Sequence, residues 1–443
     1  MCCVSSGGVC IQNTKSLAYF QGSQSVTSKF FNSIATTNTY HPNNLLDRWS
    51  KVIQIAAEQS RPISYEGPMW RYSNPVEIMF GAGSVAELPK LIDGRNYALV
   101  TYPSDPFQRL AQRVEEAAGP AAVIINDIAP NPDYQLLRQQ CAQLAGIGHQ
   151  IEVIVALGGG SVIDSAKVFA AADGSFDNVV TYLETGGGAA NLGTIPIIAV
   201  PTTAGTGSEV TCWATVWDEQ RSQKYSLSRQ NLYPEAAVID PELMVNKPHE
   251  LTLSTGLDTL SHALESIWNI NANPISARHA VHAAGTILDT LPDLLNDLGN
   301  LTLRTQIADA ALSAGLAFSN TKTAIAHNLS YPITLGWGIQ HGIACSFTLP
   351  VILSSVDGIG GFRQAALNDI FGSDLSSASI ELTTFLNRLG VSTRFADYGI
   401  SDAQRMDIVD EAFAGERGRN FAGTKEAFLK SLDAQDGKKS KVA

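Results

Sequence analysis

The sequence predicts an α/β domain built on a doubly wound parallel sheet, followed by an all-α C-terminal domain, and three observations predict it. Short apolar runs recur at 97–101 (YALVT), 122–125 (AVII), 153–157 (VIVAL) and 195–200 (IPIIAV). They lack the polar alternation of a half-exposed strand, which suits strands buried on both faces. Between them, 107–118 and 131–145 space apolar residues at helical intervals, and strands alternating with helices build a parallel sheet covered on both sides. After Asp240-Pro241 the strand pattern stops. Helices are expected at 254–269, 275–298, 303–320, 323–331, 345–355, 378–389 and 402–412. The expected divisions are an extension over 1–66, an α/β domain over 67–250 and a helical domain over 251–443.

The extension is rich in Ser, Thr, Asn and Gln and has no acidic residue before Asp47. A poorly ordered segment is expected, with one short helix over 45–60. A transit peptide would share the acid-poor, Ser-rich texture but needs several Arg, and only Lys15 and Lys29 precede Arg48.

Across 443 residues the apolar content of 44% and the charged content of 16% suit an ordinary globular chain with two full cores. The formal charge of −12 argues against nucleic acid as a partner, because an acidic surface repels phosphate backbones. No apolar run is long enough to span a bilayer. The six cysteines form no paired spacing, which points to a reducing compartment, so a cytoplasmic location is expected. A homodimer is the expected assembly.

Two segments carry the signature of a phosphate-binding edge. Residues 153–167 (VIVALGGGSVIDSAK) give a buried strand, three glycines and a helix opened near Ser161. Glycines let a backbone approach a pyrophosphate, and a helix start offers unpaired N–H groups. Residues 201–211 (PTTAGTGSEVT) also follow an apolar strand and pack four Thr, two Gly and one Ser into one loop. Two such loops after strands of one sheet place a ligand at the carboxyl ends of the strands, as in Rossmann-like folds.

A third constellation suggests a metal. In 256–266 (GLDTLSHALES), Asp258 and His262 are four apart and share a helix face. His327 and His341 follow in AIAHNLSYP and GIQHGIAC. One carboxylate and three imidazoles suit Fe(II) or Zn(II), although an isolated Asp/His pair at this spacing also occurs as a surface pair.

In this order, and with fourteen residues from His327 to His341, these segments resemble the iron-containing alcohol dehydrogenase family over about residues 67–400. The resemblance implies NAD(P)H-linked interconversion of an aldehyde and an alcohol, with Asp258, His262, His327 and His341 as ligands to Fe(II), or alternatively Zn(II). It assigns Gly159, Gly160, Ser161 and Asp164 to the pyrophosphate end of the cofactor. Thr202, Thr203, Thr206 and Thr211 go to the nicotinamide side, and Lys224 to its ribose. Where many members carry a second histidine four residues after the third ligand, this chain has Tyr331. A phenol there can donate a proton but is a poor base; the proton's other sources are metal-bound water or the ribose hydroxyls. Tyr102 stands where NAD-preferring members often place an Asp that repels a 2′-phosphate, so NADPH is admitted beside NADH, with Ser104 favouring it and Asp105 opposing it.

For the substrate, ATVWD (214–218), KYSL (224–227) and HGIACSFTLP (341–350) resemble the branch of that family that reduces phosphonoacetaldehyde to 2-hydroxyethylphosphonate. Arg417, Arg419 and Asn420 in ERGRN offer two guanidiniums and an amide that suit a phosphonate clamp, or else two solvated arginines at a turn. Sulfoacetaldehyde and uncharged aldehydes are the alternatives. A dehydroquinate-synthase-like lyase shares the fold and metal chemistry but needs a larger basic pocket.

Overall fold

The computed structural model describes residues 69–437 apart from 147–150, 219, 222 and 436. The expected extension and its helix over 45–60 lie outside these residues. Trp70 onward forms one compact unit.

Six parallel strands run in the order β1-β8-β5-β4-β2-β3. They are β1 (Glu77–Phe80), β2 (Tyr97–Val100), β3 (Val123–Ile125), β4 (Val153–Gly158), β5 (Ile197–Pro201) and β8 (Ala236–Ile239). A separate antiparallel hairpin joins β6 (Trp213–Asp218) to β7 (Gln223–Ser228). The four inner strands β2, β4, β5 and β8 are buried at every residue, which is why their sequences are uninterrupted apolar runs. In β4 the period of two divides the side chains between two cores. Val153, Val155 and Leu157 face the core under α1 (Leu88–Ile92) and α2 (Asp105–Ala118). Ile154 and Ala156 face the core under α3 (Tyr134–Ala145) and α4 (Gly160–Ala172). A further helix, α5 (Phe176–Thr185), completes that second layer through Phe176 and Val179. The sheet is doubly wound, as the sequence predicts.

The topology fixes where a ligand goes. From β2 the chain moves outward to β3, then returns to the other side of β2 as β4 and continues outward through β5 and β8. That reversal leaves a crevice at the carboxyl ends of β2 and β4, where Tyr102 and the Gly159–Ser161 turn both lie.

The remaining elements are helices: α6 (His249–Ile267), α7 (Pro274–Asn296), α8 (Leu301–Thr321), α9 (Ile325–Trp337), α10 (His341–Ser346), α11 (Leu349–Ser355), α12 (Gly361–Phe371), α13 (Leu375–Arg388), α14 (Asp402–Ala414) and α15 (Lys425–Gln435). Alanines 280, 283 and 284 on α7 and 308, 310, 311 and 314 on α8 are buried in their core, so small side chains permit close helix approach. Several boundaries differ from the sequence reading. The helix expected over 323–331 runs to Trp337, because Pro332 sits inside it without ending it. The helix expected over 345–355 is two helices, with Pro350 opening the second. Strands β1 and β8, the hairpin, α1, α5, α12 and α15 were not expected; β1 and β8 have only four residues each, too short for periodicity to declare.

One buried network ties α4 to the hairpin. Lys167 is fully buried, and its Nζ donates to Ser208 O at 2.7 Å, Ser208 Oγ at 2.8 Å, Trp213 O at 2.9 Å and Thr211 Oγ1 at 3.2 Å. Asp164 accepts from Ser208 Oγ at 2.6 Å and from Thr215 N at 2.8 Å. Burial pulls Lys167 down to about 8 while Asp164 holds it up, so it keeps its charge at neutral pH. Replacing Lys167 with Ala should cost roughly 3–5 kcal/mol, since Asp164 would be left buried without its cation and several acceptors without a donor. Urea denaturation measures this, and an unchanged midpoint would show that the network does not support the fold.

Candidate metal and dinucleotide site

Asp258 and His262 lie one turn apart on α6, His327 on the first turn of α9, and His341 is the first residue of α10. These positions converge on one atom. Asp258 Oδ1 lies 3.4 Å from His327 Nε2, 3.9 Å from His262 Nε2 and 3.9 Å from His341 Nε2. His262 stacks on His327 at 4.5 Å and on Phe318 at 4.1 Å, so its ring is clamped between two planes. Close approach of α10 to α6 sets the fourth member. A Cβ on Gly342 would sit 1.8 Å from Ser254 O, so only glycine beside His341 permits this packing.

Asp258 Oδ1 and His327 Nε2 are buried yet have no hydrogen-bond partner. Buried polar atoms are paired almost everywhere in proteins, and here the unpaired ones face each other. That is the arrangement a divalent cation would satisfy. Burial lowers His262 to about 4 and His341 to about 3, against the pull of Asp258, so both imidazoles are neutral at pH 7, as metal ligands must be. Burial would raise the Asp258 carboxyl, but His262, His327 and His341 around it hold it well below the usual range. Burial opposes charge on His327, whereas Cys345 and Glu265 beside it raise it well above the ordinary value.

Two members of this site were missed by sequence reasoning. Cys345 brings a sulfur into the cluster: its Sγ and ligand atoms of Asp258, His327 and His341 all lie within 4.8 Å of one another. Its spacing of four from His341 on a helix was the available signal. Glu265 is fully buried, and its Oε2 accepts from His327 Nδ1 at 2.6 Å while Oε1 accepts from His327 N at 3.2 Å. Spacings of four and seven put His262 and Glu265 on the face of Asp258. Glu265 therefore fixes which nitrogen of His327 carries its proton and turns Nε2 toward Asp258. His262 is oriented in the same way by Gly205 O, 3.3 Å from its Nδ1.

The phosphate edge abuts this cluster through the loop that supplies Gly205. Helix α4 begins after Gly159 with no side chain capping it, leaving its first N–H groups open. A Cβ on Gly160 would meet Thr206 at 2.6 Å, so the two glycine-rich loops touch at that point. Thr203 Oγ1 lies beside Gly159, as does the Tyr102 hydroxyl, while Ser161 Oγ accepts from Asn131 N at 3.2 Å. Thr202 Oγ1 is buried without a partner. Asp164 and Thr211 are instead engaged in the Lys167 network described above.

Next to His341, the Tyr331 ring stacks parallel at 6.0 Å, and its hydroxyl is buried without a partner. Lys224, on β7, places Nζ 3.7 Å from the centre of that ring, and Arg417 places Cζ 5.1 Å from it. Neither cation makes an ion pair among the described residues. Burial, then repulsion from Arg417, brings Lys224 well below its ordinary value, and burial brings Arg417 down to about 10. Arg417 also donates to Thr323 Oγ1 at 3.1 Å. Arg419 is exposed and donates to Ala414 O at 2.9 Å, and Asn420 donates to Thr323 O at 2.9 Å. Of the three residues expected to clamp an anion, Arg417 alone reaches Tyr331 among these contacts, and Lys224 is its companion there.

A parallel-sheet domain with glycine-rich phosphate loops, joined to helices bearing an Asp/His metal cluster, defines a metal-dependent nicotinamide oxidoreductase. Residues 75–241 match the family model for iron-containing alcohol dehydrogenase, and 252–432 match that for the C-terminal part of the Fe-containing alcohol dehydrogenase family. The chain belongs to the iron-containing alcohol dehydrogenase family. It is 34% identical over 366 residues to phosphonoacetaldehyde reductase of Streptomyces viridochromogenes, covering 76% of this chain and 90% of that one. It is 29% identical over 361 residues to the NAD-dependent methanol dehydrogenase of Bacillus methanolicus, covering 78% and 93%. Among solved structures, sulfoacetaldehyde reductase from Bifidobacterium kashiwanohense in complex with NAD+ superposes with a TM-score of 0.76 at 31% identity, covering 83% of this chain and 99% of that one. These comparisons do not favour the lyase alternative.

Replacing Glu265 with Ala should weaken Fe(II) or Zn(II) binding about 10- to 100-fold, the usual effect of removing a carboxylate behind a ligating histidine. Metal titration of the purified variant tests this, and unchanged affinity would reduce Glu265 to a helix contact. Replacing His262 or His341 with Ala should abolish turnover while far-UV circular dichroism stays native. Full activity after exhaustive chelation would sink the metal assignment altogether.

Proposed function

We propose that this enzyme reduces a small anionic aldehyde, phosphonoacetaldehyde, to 2-hydroxyethylphosphonate. One observation carries the reading: two cations without ion-pair partners, Lys224 and Arg417, flank Tyr331 beside the metal cluster. Both cations are half-buried, and charges drawn partly out of water without counterions favour an arriving anion. A phosphonate can carry two negative charges and a sulfonate one, which favours phosphonate for a pair of cations. Sulfoacetaldehyde is the second reading, supported by the likeness to sulfoacetaldehyde reductase.

Asp258, His262, His327 and His341 would hold iron, with Glu265 and Gly205 O orienting two of the imidazoles. When bound, iron supplies Lewis acidity that polarises the carbonyl and stabilises the charge developing on its oxygen. The loops at 159–161 and 203–206 would hold a nicotinamide cofactor, which when bound would supply the hydride. Arg417 anchors the substrate's anionic end. Lys224 would bind the nicotinamide ribose and add positive charge beside the substrate. Tyr331, whose hydroxyl is buried without a partner among the described residues, would give the alcohol its proton. Tyr102, beside Gly159, leaves either NADH or NADPH able to serve. The unpaired, buried cysteines 141, 212 and 345 support a reducing, cytoplasmic setting, and among the described residues no helix is long and apolar enough to cross a membrane.

The direct test is cofactor oxidation by the iron-loaded protein over phosphonoacetaldehyde, sulfoacetaldehyde and propionaldehyde. Phosphonoacetaldehyde should give the highest kcat/KM; equal efficiency on propionaldehyde would refute the anionic-substrate reading. Replacing Arg417 with Ala should cut kcat/KM on phosphonoacetaldehyde about 10- to 100-fold, as loss of one charge-assisted contact does. Propionaldehyde, which never uses the contact, should lose little. Equal losses on both would assign Arg417 to the cofactor or the fold.

A further inference from the structure

A second electropositive site lies on the carboxyl edge of the sheet and shares no lining residue with the metal cluster. A cavity of about 330 Å³ opens between α2, Thr202 at the end of β5, and the segment after β8 that carries Leu243 and Lys247. Its walls divide into two chemistries. Phe107, Leu110 and Leu243 supply apolar faces suited to a flat heteroaromatic ring. Arg109 and Arg113, one turn apart on α2, and Lys247 supply three positive charges, and among the described residues no carboxylate lines the cavity.

These cations are not consumed by the fold. None of the three makes an ion pair among the described residues. Lys247 rests 4.9 Å from the centre of the Phe107 ring, and burial, reinforced by repulsion from Arg304, lowers its affinity for a proton. An arriving anion would relieve both penalties. Thr202, which the resemblance assigns to the nicotinamide side, lines this cavity instead, and it points to a ligand independently. It is 1% exposed, it lines the cavity, and its Oγ1 has no hydrogen-bond partner. A three-cation pocket with an apolar wall and an orphaned hydroxyl, on the edge that also carries the Gly159–Ser161 turn, is a built site for a phosphorylated nucleoside.

We propose that this cavity holds the adenosine end of the dinucleotide and that Arg109, Arg113 and Lys247 bind a 2′-phosphate there, so that the chain prefers NADP(H) to NAD(H). The proposal rests on the dinucleotide lying along the carboxyl edge of the sheet, and it goes beyond the permissive role of Tyr102. A 2′-phosphate brings close to two negative charges and several acceptors, which guanidiniums meet with forked hydrogen bonds. A 2′-hydroxyl can use none of that charge, so the three cations discriminate by what they gain with one cofactor only.

Calorimetric titration with two probes isolates the phosphate without turnover or metal. Adenosine 2′,5′-bisphosphate and adenosine 5′-monophosphate differ only at the 2′ position. The wild-type chain should bind the bisphosphate at least about tenfold more tightly at low ionic strength, and the margin should shrink as salt is added. Lys247→Gln, and separately Arg109→Gln with Arg113→Gln, should bring the two affinities within about threefold of each other, mainly by weakening the bisphosphate. The arginine pair is solvent-exposed, so that variant tests the site without disturbing the core. Binding of the monophosphate with no preference for the bisphosphate would overturn the 2′-phosphate site and leave the dinucleotide reading standing. A preference that survives both variants would overturn the assignment of these cations. Binding of neither probe would overturn the proposal together with the dinucleotide reading beneath it.

Discussion

Four electron-pair donors pointing at one another inside a protein interior repel unless something positive sits among them. Asp258 Oδ1 and the Nε2 atoms of His262, His327 and His341 are in that position, and two of these atoms have no hydrogen-bond partner among the described residues. Much of the surrounding structure exists to hold them there. Glu265 and Gly205 O grip the far nitrogens of His327 and His262, Phe318 stacks under His262, and the absent side chain of Gly342 lets α10 lie against α6. A convergence this unfavourable without a cation is hard to explain as packing, since an apolar substitute would fill the same space at lower cost.

The same cluster couples the two halves of the molecule. Gly205 belongs to the loop after β5, whose Thr206 packs on Gly160 at the start of α4, while its carbonyl oxygen meets a metal-site imidazole. The phosphate edge is thus in register with the metal cluster through a handful of backbone contacts. The Lys167 network anchors that loop from beneath by engaging Ser208, Thr211 and Trp213. Precision in hydride transfer depends on fixed separation of donor and acceptor carbons, and short, small-residue contacts backed by buried hydrogen bonds are a direct way to fix it.

Charge is distributed against the grain of the whole chain. A formal charge of −12 spreads over the protein, yet Lys224 and Arg417 beside Tyr331, and Arg109, Arg113 and Lys247 around the cavity beyond β5, carry no ion-pair partners among the described residues. Local positive pockets in an acidic protein act on small anions that enter them and leave large polyanions repelled.

The sequence by itself determined the buried strands and the two glycine-rich loops, because each rests on a local pattern: an apolar run, or a Gly/Thr cluster after it. Of the four candidate metal ligands, a spacing of four marked Asp258 and His262, and the family resemblance marked His327 and His341. The sequence also marked the change from strands to helices near Asp240-Pro241. Short elements escaped it, since four residues of β1 or β8 contain too few periods to declare themselves and acquire their pairing only from neighbours in the sheet. Pro332 showed the limit of local rules, being carried within α9 by the surrounding packing. What only the tertiary structure decided was partnership across long separations. Glu265 reaches His327 across 62 residues, Lys167 reaches Trp213 across 46, and Arg417 meets Tyr331 while Arg419, two residues away, turns to Ala414. Nothing in a linear spacing separates those two arginines, because the direction of each side chain is set by the turn over Gly418–Asn420 and by what packs against it.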